Sequence, residues 1–250
     1  MEENQYKRGK YRIRENRGLT ATVFRMVLEG DTRYVSAPGQ FVNVELPGKF
    51  LRRPISVCDW DEESITLIYK VVGEGTEMMS RMTEGEELDV LTGLGNGFDT
   101  QVRTKHPLLV GGGVGVPPMY ALAKRLIGEG KRPTMIMGFN TADEVFCYDE
   151  FKALGMDVFV TTVDGTGGTK GVVTDAMEKY GILFDYLYAC GPVPMLKALA
   201  EGVMTDGQLS LEERMGCGFG ACVGCTCMTR EGYKRICKEG PVLKKDEIIW

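Results

Sequence analysis

Residues 215–229 of this 250-residue chain read MGCGFGACVGCTCMT and hold four of its eight cysteines, with a fifth, Cys237, soon after. Thiols at this density can chelate a metal, form disulfides or serve as small buried residues. Cys217, Cys222, Cys225 and Cys237 are spaced C-x4-C-x2-C-x11-C. The first three match the plant-type spacing of a [2Fe–2S] cluster, whose fourth ligand is distant in sequence. Structural zinc more often uses two separated short pairs. Thiolates concentrate negative charge, so backbone N–H groups must turn inward to offset it. Gly216, Gly218, Gly220, Ala221 and Gly224 let the chain wrap in that way. Cys227 lies two residues past Cys225, and the spacing leaves it as a neighbouring free thiol.

A second kind of chemistry is written in glycine. LLVGGGVGVPPMYALAKRL reads as strand, turn and helix, with Gly111, Gly112, Gly113 and Gly115 in the turn and Pro117-Pro118 in the helix's first turn. A helix N-terminus behind a surface free of side chains suits a pyrophosphate. Pro118 stands where a strict G-x-G-x-x-G has its last glycine, and a tight turn without a ligand is the plainer alternative. YLYACGPVPMLKAL repeats the design, ending a strand at Cys190. Both turns would face one crevice at the carboxyl ends of parallel strands. Cys190 there is either a lining residue or a small buried one. Asp164, in TTVDGTGGTKG, either accepts from ribose hydroxyls, favouring NAD over NADP, or serves its own turn.

These residues need elements to hold them. QFVNVEL puts Val42, Val44 and Leu46 on one face and Asn43 and Glu45 on the other. Ile65 to Val71 repeats the alternation, with Ile65, Leu67, Tyr69 and Val71 opposed to Thr66, Ile68 and Lys70. Period two with turns at short spacing predicts an antiparallel β-barrel, with Glu86–Leu91 as a late strand. From about His106, strands at 108–110, 134–138, 158–163 and 186–189 alternate with helical stretches such as 119–127. That alternation predicts an α/β domain with a parallel sheet. The expected division is 1–102, 103–210 and a small cysteine-rich segment, 211–250.

Two further motifs carry a resemblance. In FLRRPISVCDW, Arg53-Pro54-Ile55-Ser56 resembles the R-x-[YF]-[ST] signature of the ferredoxin–NADP reductase superfamily, with Ile55 where an aromatic often stands. In YKVVGEGTEMMSRM, a strand leads through Gly75 and Thr76 into a helix. The superfamily pairs an FAD-binding barrel with an NAD(P)-binding α/β domain. The resemblance implies that Arg53 meets the FAD pyrophosphate, that Ser56 lies near the flavin ring and that Ile68, Tyr69 and Lys70 line the FAD. A planar cationic fork suits phosphate oxygens, and Gly75 and Thr76 could offer N–H groups and a hydroxyl to them.

RRPIS, VVGEGT, GLGNGF, LLVGGGVGVPP, YACGP, MGCGFGACVGCTC and CKEGPV occur in that order. Over nearly its whole length the chain is similar to electron-transfer subunits of the NAD-linked, type B dihydroorotate dehydrogenases. That implies FAD, a [2Fe–2S] cluster on Cys217, Cys222, Cys225 and Cys237, NAD as acceptor, and an FMN-containing catalytic partner in a heterotetramer. Dihydroorotate would be oxidised on the partner, so no catalytic acid–base group is expected here. Two rivals remain. One is the small FAD/[2Fe–2S] subunit of an NADH-dependent ferredoxin–NADP oxidoreductase, a family in which an aspartate replaces the first cluster cysteine. The other is a zinc-stabilised binding module.

The totals narrow the field. An apolar fraction of 43%, a charged fraction of 26% and a net charge of −5 describe an ordinary globular chain with no general attraction to nucleic acid or acidic membranes. One histidine, His106, almost excludes an imidazole-built metal site. The polar N-terminus has no signal-like apolar core, and the longest apolar run is broken by Gly and Pro. A cytoplasmic chain with reduced thiols is expected.

Overall fold

The computed structural model describes residues 6–250. Six strands close into an antiparallel barrel: β1 (Lys7–Gly18), β2 (Val23–Glu29), β3 (Phe41–Val44), β4 (Arg53–Trp60), β5 (Ser64–Lys70) and β6 (Glu87–Leu94), ordered β1-β2-β5-β4-β3-β6. Alternation fills the interior with Ile13, Met26, Leu28, Val42, Val44, Val57, Ile65, Leu67 and Val90, all fully buried. Each such side chain contributes roughly 1.5–3 kcal/mol. Helix α1 (Glu74–Ser80) covers one end.

Two positions depart from the expected in–out pattern. Asn43 and Ile68, assigned to the outer face, are both buried, because the barrel's outside is covered there. Ile68 packs into the core shared with the second lobe, and Asn43 lies under the cysteine loop.

The second lobe is a seven-stranded sheet. Its parallel strands are β7 (Pro107–Gly112), β8 (Thr134–Phe139), β9 (Asp157–Thr162), β10 (Thr169–Lys170), β11 (Tyr186–Cys190) and β12 (Gly207–Ser210). The order β10-β9-β8-β7-β11-β12 reverses direction at β7/β11, where the two glycine turns meet. Helices α2 (Pro117–Gly128), α3 (Tyr148–Ala153), α4 (Val173–Tyr180) and α5 (Val193–Gly202) cover it. β7 is buried along its whole length, as a strand covered on both faces must be. Helix α2 starts at Pro117 and buries Met119, Leu122, Ala123 and Leu126 completely. It also lies against β4 of the barrel, with Lys124 Nζ 2.7 Å from Asp59 Oδ2. The helix behind the glycine turn thus joins the two lobes.

After β12 the chain makes the cysteine loop and a hairpin, β13 (Thr226–Thr229) and β14 (Gly232–Arg235). The periodicity that fades near residue 210 hides one more strand, β15 (Val242–Lys244). It pairs antiparallel with β12 and completes the sheet. Asn96 of the GLGNGF motif clamps this return: its Nδ2 donates to Val242 O at 2.7 Å and its Oδ1 accepts from Val242 N at 3.1 Å. Among the described residues no helix is long and apolar enough to cross a membrane.

Candidate cofactor clefts and metal centre

A cleft of about 380 Å³ runs between barrel and sheet. It brings together Arg53, Pro54, Ile55 and Ser56 of β4, Ile68, Tyr69 and Lys70 of β5, Thr76 of α1 and Cys190 of β11. Gly75 stands behind Arg53, and a side chain there would overlap the guanidinium. Arg53 also donates through Nη1 to Leu51 O, and its side chain lines the cleft. Two residues behave differently from expectation. The Thr76 hydroxyl donates to Gly73 O at 3.1 Å and accepts from Val72 N at 2.9 Å, so its proton serves the turn. Tyr69 borders the cleft, but its ring sits in the barrel core and its hydroxyl donates to Asn16 Oδ1 at 3.0 Å; burial pushes that phenol up to about 12.

A second cleft of about 540 Å³ opens along the carboxyl ends of β7, β8, β9 and β11. Gly112 and Gly113 form its floor. Gly111 and Gly115 lie behind it and serve close packing instead: a Cβ on Gly115 would meet the Cys190 carbonyl carbon at 2.5 Å. Thr161 Oγ1, buried and without a hydrogen-bond partner among the described residues, lines this cleft and suits a polar ligand. Lys70, Val114 and Glu212 border both clefts, which are therefore continuous. At the junction Lys70 Nζ lies 3.3 Å from Glu144 Oε1, while Glu144 Oε2 accepts from Asn140 N and Nδ2 at 3.1 and 2.9 Å. Burial pushes the Cys190 thiol, which lines the first cleft, up to about 12, with Glu212 adding to the effect, and so favours its neutral form. Asp164 takes the turn role: Oδ1 accepts from Thr166 N and Oγ1 at 2.9 and 2.7 Å, and the residue does not line the cleft.

The thiols gather as two pairs, Cys217 with Cys222 and Cys225 with Cys237. Backbone N–H groups converge on them. Ala221 N lies 3.2 Å and Cys222 N 3.4 Å from Cys217 Sγ, Cys217 N is 3.4 Å from Cys222 Sγ, Gly220 N is 3.1 Å from Cys237 Sγ, and Cys237 N is 3.4 Å from Cys225 Sγ. Burial alone would raise the Cys217 thiol; donors from Cys222, Phe219 and Ala221 outweigh it and bring the group down to about 6. Cys237 is pushed up to about 12 by burial and by the adjoining Cys225. Among the described residues no three His, Cys, Asp or Glu side chains converge as ligands of one metal ion would. Cys217, Cys222, Cys225 and Cys237 would hold a [2Fe–2S] cluster, whose four-cysteine ligation they can supply. Cys227 joins neither pair. It sits on β13, half-buried, and burial raises its thiol.

A family model described as the iron-sulfur cluster binding domain of dihydroorotate dehydrogenase B matches residues 212–249, and one for an oxidoreductase NAD-binding domain matches 109–201. The dihydroorotate dehydrogenase B (NAD(+)) electron transfer subunit of Fusobacterium nucleatum subsp. nucleatum is 45% identical, covering 94% of this chain and 96% of its own length. This chain belongs to that family. The Bacillus mycoides member is 44% identical over 92% of this chain and 94% of its own. A solved structure of an NADH-dependent reduced ferredoxin–NADP oxidoreductase, described for flavin-based electron bifurcation, is 33% identical with a TM-score of 0.87, covering 96% of this chain and 90% of that one. A Neisseria gonorrhoeae ferredoxin NADP+ reductase solved with FAD and NADP shares the fold, with a TM-score of 0.68 at 15% identity over 81% of this chain and 92% of that one.

For a chain of this electron-transfer-subunit family, several site residues escape a sequence reading. Glu212 borders both clefts although its motif, SLEERMGCG, reads as a charged lead-in to the cysteines; desolvation raises its carboxyl. Phe41 and Met215 also line the first cleft, from segments 174 positions apart, and no local pattern joins them.

Proposed function

We propose that this chain is the electron-transfer subunit of a dihydroorotate dehydrogenase B and delivers electrons from a catalytic partner to NAD+. The observation that carries the reading is continuity: the thiol loop, wrapped in N–H donors, is entered from Met215 on the wall of the first cleft, that cleft holds Arg53, and it opens into the glycine-floored one. A [2Fe–2S] cluster exchanges single electrons, NAD+ takes a hydride, and FAD interconverts the two kinds of transfer.

The chain's own residues hold these groups. Cys217, Cys222, Cys225 and Cys237 would ligate the cluster, with the loop's N–H groups offsetting thiolate charge. Arg53 would pair with the FAD pyrophosphate, and the N–H groups near Gly75 and Thr76 would assist it. Pro54, Ile55, Ser56, Ile68 and Lys70 would wall the flavin, with Tyr69 supporting from the core. Gly112, Gly113 and the neutral Cys190 would border the nicotinamide, while Gly111 and Gly115 keep the two turns in contact. The corresponding units would be 1–102 for FAD, 103–210 for NAD and 211–250 for the cluster, with β15 of the last reaching back to complete the NAD unit's sheet.

The resemblance further supports an FMN-containing partner, two copies of each subunit, and a cytoplasmic location. The similarity to the NADH-dependent ferredoxin–NADP oxidoreductase keeps a second reading open. Cys217 opposes it, because a thiol paired with Cys222 stands where that family carries an aspartate. The zinc-module reading is disfavoured by the likeness of residues 212–249 to an iron-sulfur cluster binding domain. Iron, zinc and acid-labile sulfide analysis with an absorption spectrum tests the cofactor assignment, and colourless, zinc-loaded protein would overturn it.

A further inference from the structure

Asn43 sits on the barrel strand β3, at a position whose alternation points to solvent, yet it is fully buried. Its Nδ2 donates to the carbonyl of Cys217 at 3.1 Å, and among the described residues its Oδ1 has no partner. Among those residues the one hydrogen bond of this buried amide is therefore to the cysteine loop. A buried polar group normally finds all its partners, and leaving one unmet costs about 1–3 kcal/mol. The fit is close. Gly218 has φ +80°, and a Cβ on it would lie 3.2 Å from Asn43 Cγ and overlap the amide nitrogen. Arg52 fixes the strand beneath, donating from Nη1 to Asn43 O at 3.2 Å and to Asp89 O at 3.1 Å.

The orientation of one peptide follows. The Cys217–Gly218 bond is trans, so its C=O and N–H point in opposite directions. With the carbonyl held to the barrel, the Gly218 N–H faces the other way. Gly218, with no side chain, could turn over readily if the clamp were lost, presenting the carbonyl oxygen to the thiolates instead.

We propose that Asn43 is a positioning residue for the cluster: it holds the carbonyl of the Cys217–Gly218 peptide on the barrel, so that this oxygen is not turned to the thiolates, and so raises the cluster's reduction potential. Hydrogen bonds and dipoles near the sulfurs are among the determinants of such potentials. Phe41 lies on the same face of β3 two residues earlier and lines the flavin cleft, so one strand sets both the loop's orientation and its distance from that cleft. This inference rests on the cluster reading given above.

The test is an EPR-monitored redox titration of the full-length, cluster-loaded chain, which needs neither the partner nor dihydroorotate. In Asn43→Leu, with native iron and sulfide content, the ratio of reduced to oxidised cluster at a fixed poise falls at least tenfold, about 59 mV for a one-electron couple. The g-values shift and the flavin absorption does not. Asn43→Ser keeps a small donor and stays within about threefold of the native ratio. If the leucine variant fails to assemble, Asn43→Ala makes the same test without bulk. A donor-free variant with a native potential overturns the proposal, as does a serine variant that falls as far as the leucine one, because packing would then be the cause. Native protein without iron, sulfide or an EPR signal would instead refute the cluster reading itself.

Discussion

Gly75→Ala should separate folding from flavin binding. Gly75 is the second residue of α1 and has no positive φ, so the backbone accepts alanine, which helices favour over glycine by up to about 1 kcal/mol. The obstacle is Arg53, because a methyl group would overlap Nε and lie 2.8 Å from Cζ. The guanidinium is the mobile end of a half-buried side chain and can swing away at little cost to the fold. What is lost is its fork over the cleft. A hydrogen bond to a charged group contributes about 1.5–3 kcal/mol, so FAD affinity should fall about tenfold to a hundredfold. The apo-protein should melt at the native temperature or slightly above. Arg53→Ala should weaken FAD by a similar factor, and the double variant should lose little more than either single one, since both act on one group. Fluorescence titration of the apo-protein with FAD, beside thermal denaturation without it, reads both quantities. Native FAD affinity in Gly75→Ala would refute the role given to Arg53, and so would full additivity of the two variants.

Other outcomes follow from the same geometry. Cys222→Ser should abolish iron and sulfide binding while FAD and NADH–dye activity remain, which metal analysis and a diaphorase assay would show. Gly115→Ala forces a methyl into the Cys190 carbonyl and should destabilise the fold by about 1–3 kcal/mol in a denaturant titration. Lys70→Ala breaks the pair with Glu144, about a third exposed on each side, and should cost less than about 1 kcal/mol in the same assay. Cys190 is raised by burial from 9.0 to about 12, so its unfolded thiol ionises first. Its contribution is complete below pH 9 and is lost as pH rises towards 12. Cys190→Ala should therefore lessen the alkaline slope of stability by up to about 1.4 kcal/mol per pH unit.

The sequence carries the strands and the glycine turns plainly because alternation and turn chemistry are local. Val42, Val44 and Leu46 go inside as their period requires, and α2 begins at its prolines. Asn43 and Ile68 break the pattern because their cover comes from segments far along the chain. The same cause hides β15, a three-residue strand recruited by an existing sheet edge, and Glu212, whose place between the clefts depends on how two lobes meet. Asp164 shows the reverse case: an acid at a strand end suggests a ribose, yet its own turn uses the carboxylate. Thiol spacing suggests a cluster, whereas the pairing Cys217–Cys222 and Cys225–Cys237 is visible only in three dimensions.

The most direct measurement is NADH formation from dihydroorotate and NAD+ by the FMN-type catalytic subunit, with and without this chain loaded with FAD and iron–sulfur cluster. The account predicts that NADH appears only when both subunits are present and is lost with Cys222→Ser. Equal NAD+ reduction by the catalytic subunit alone would contradict it, as would none at all from a fully loaded complex.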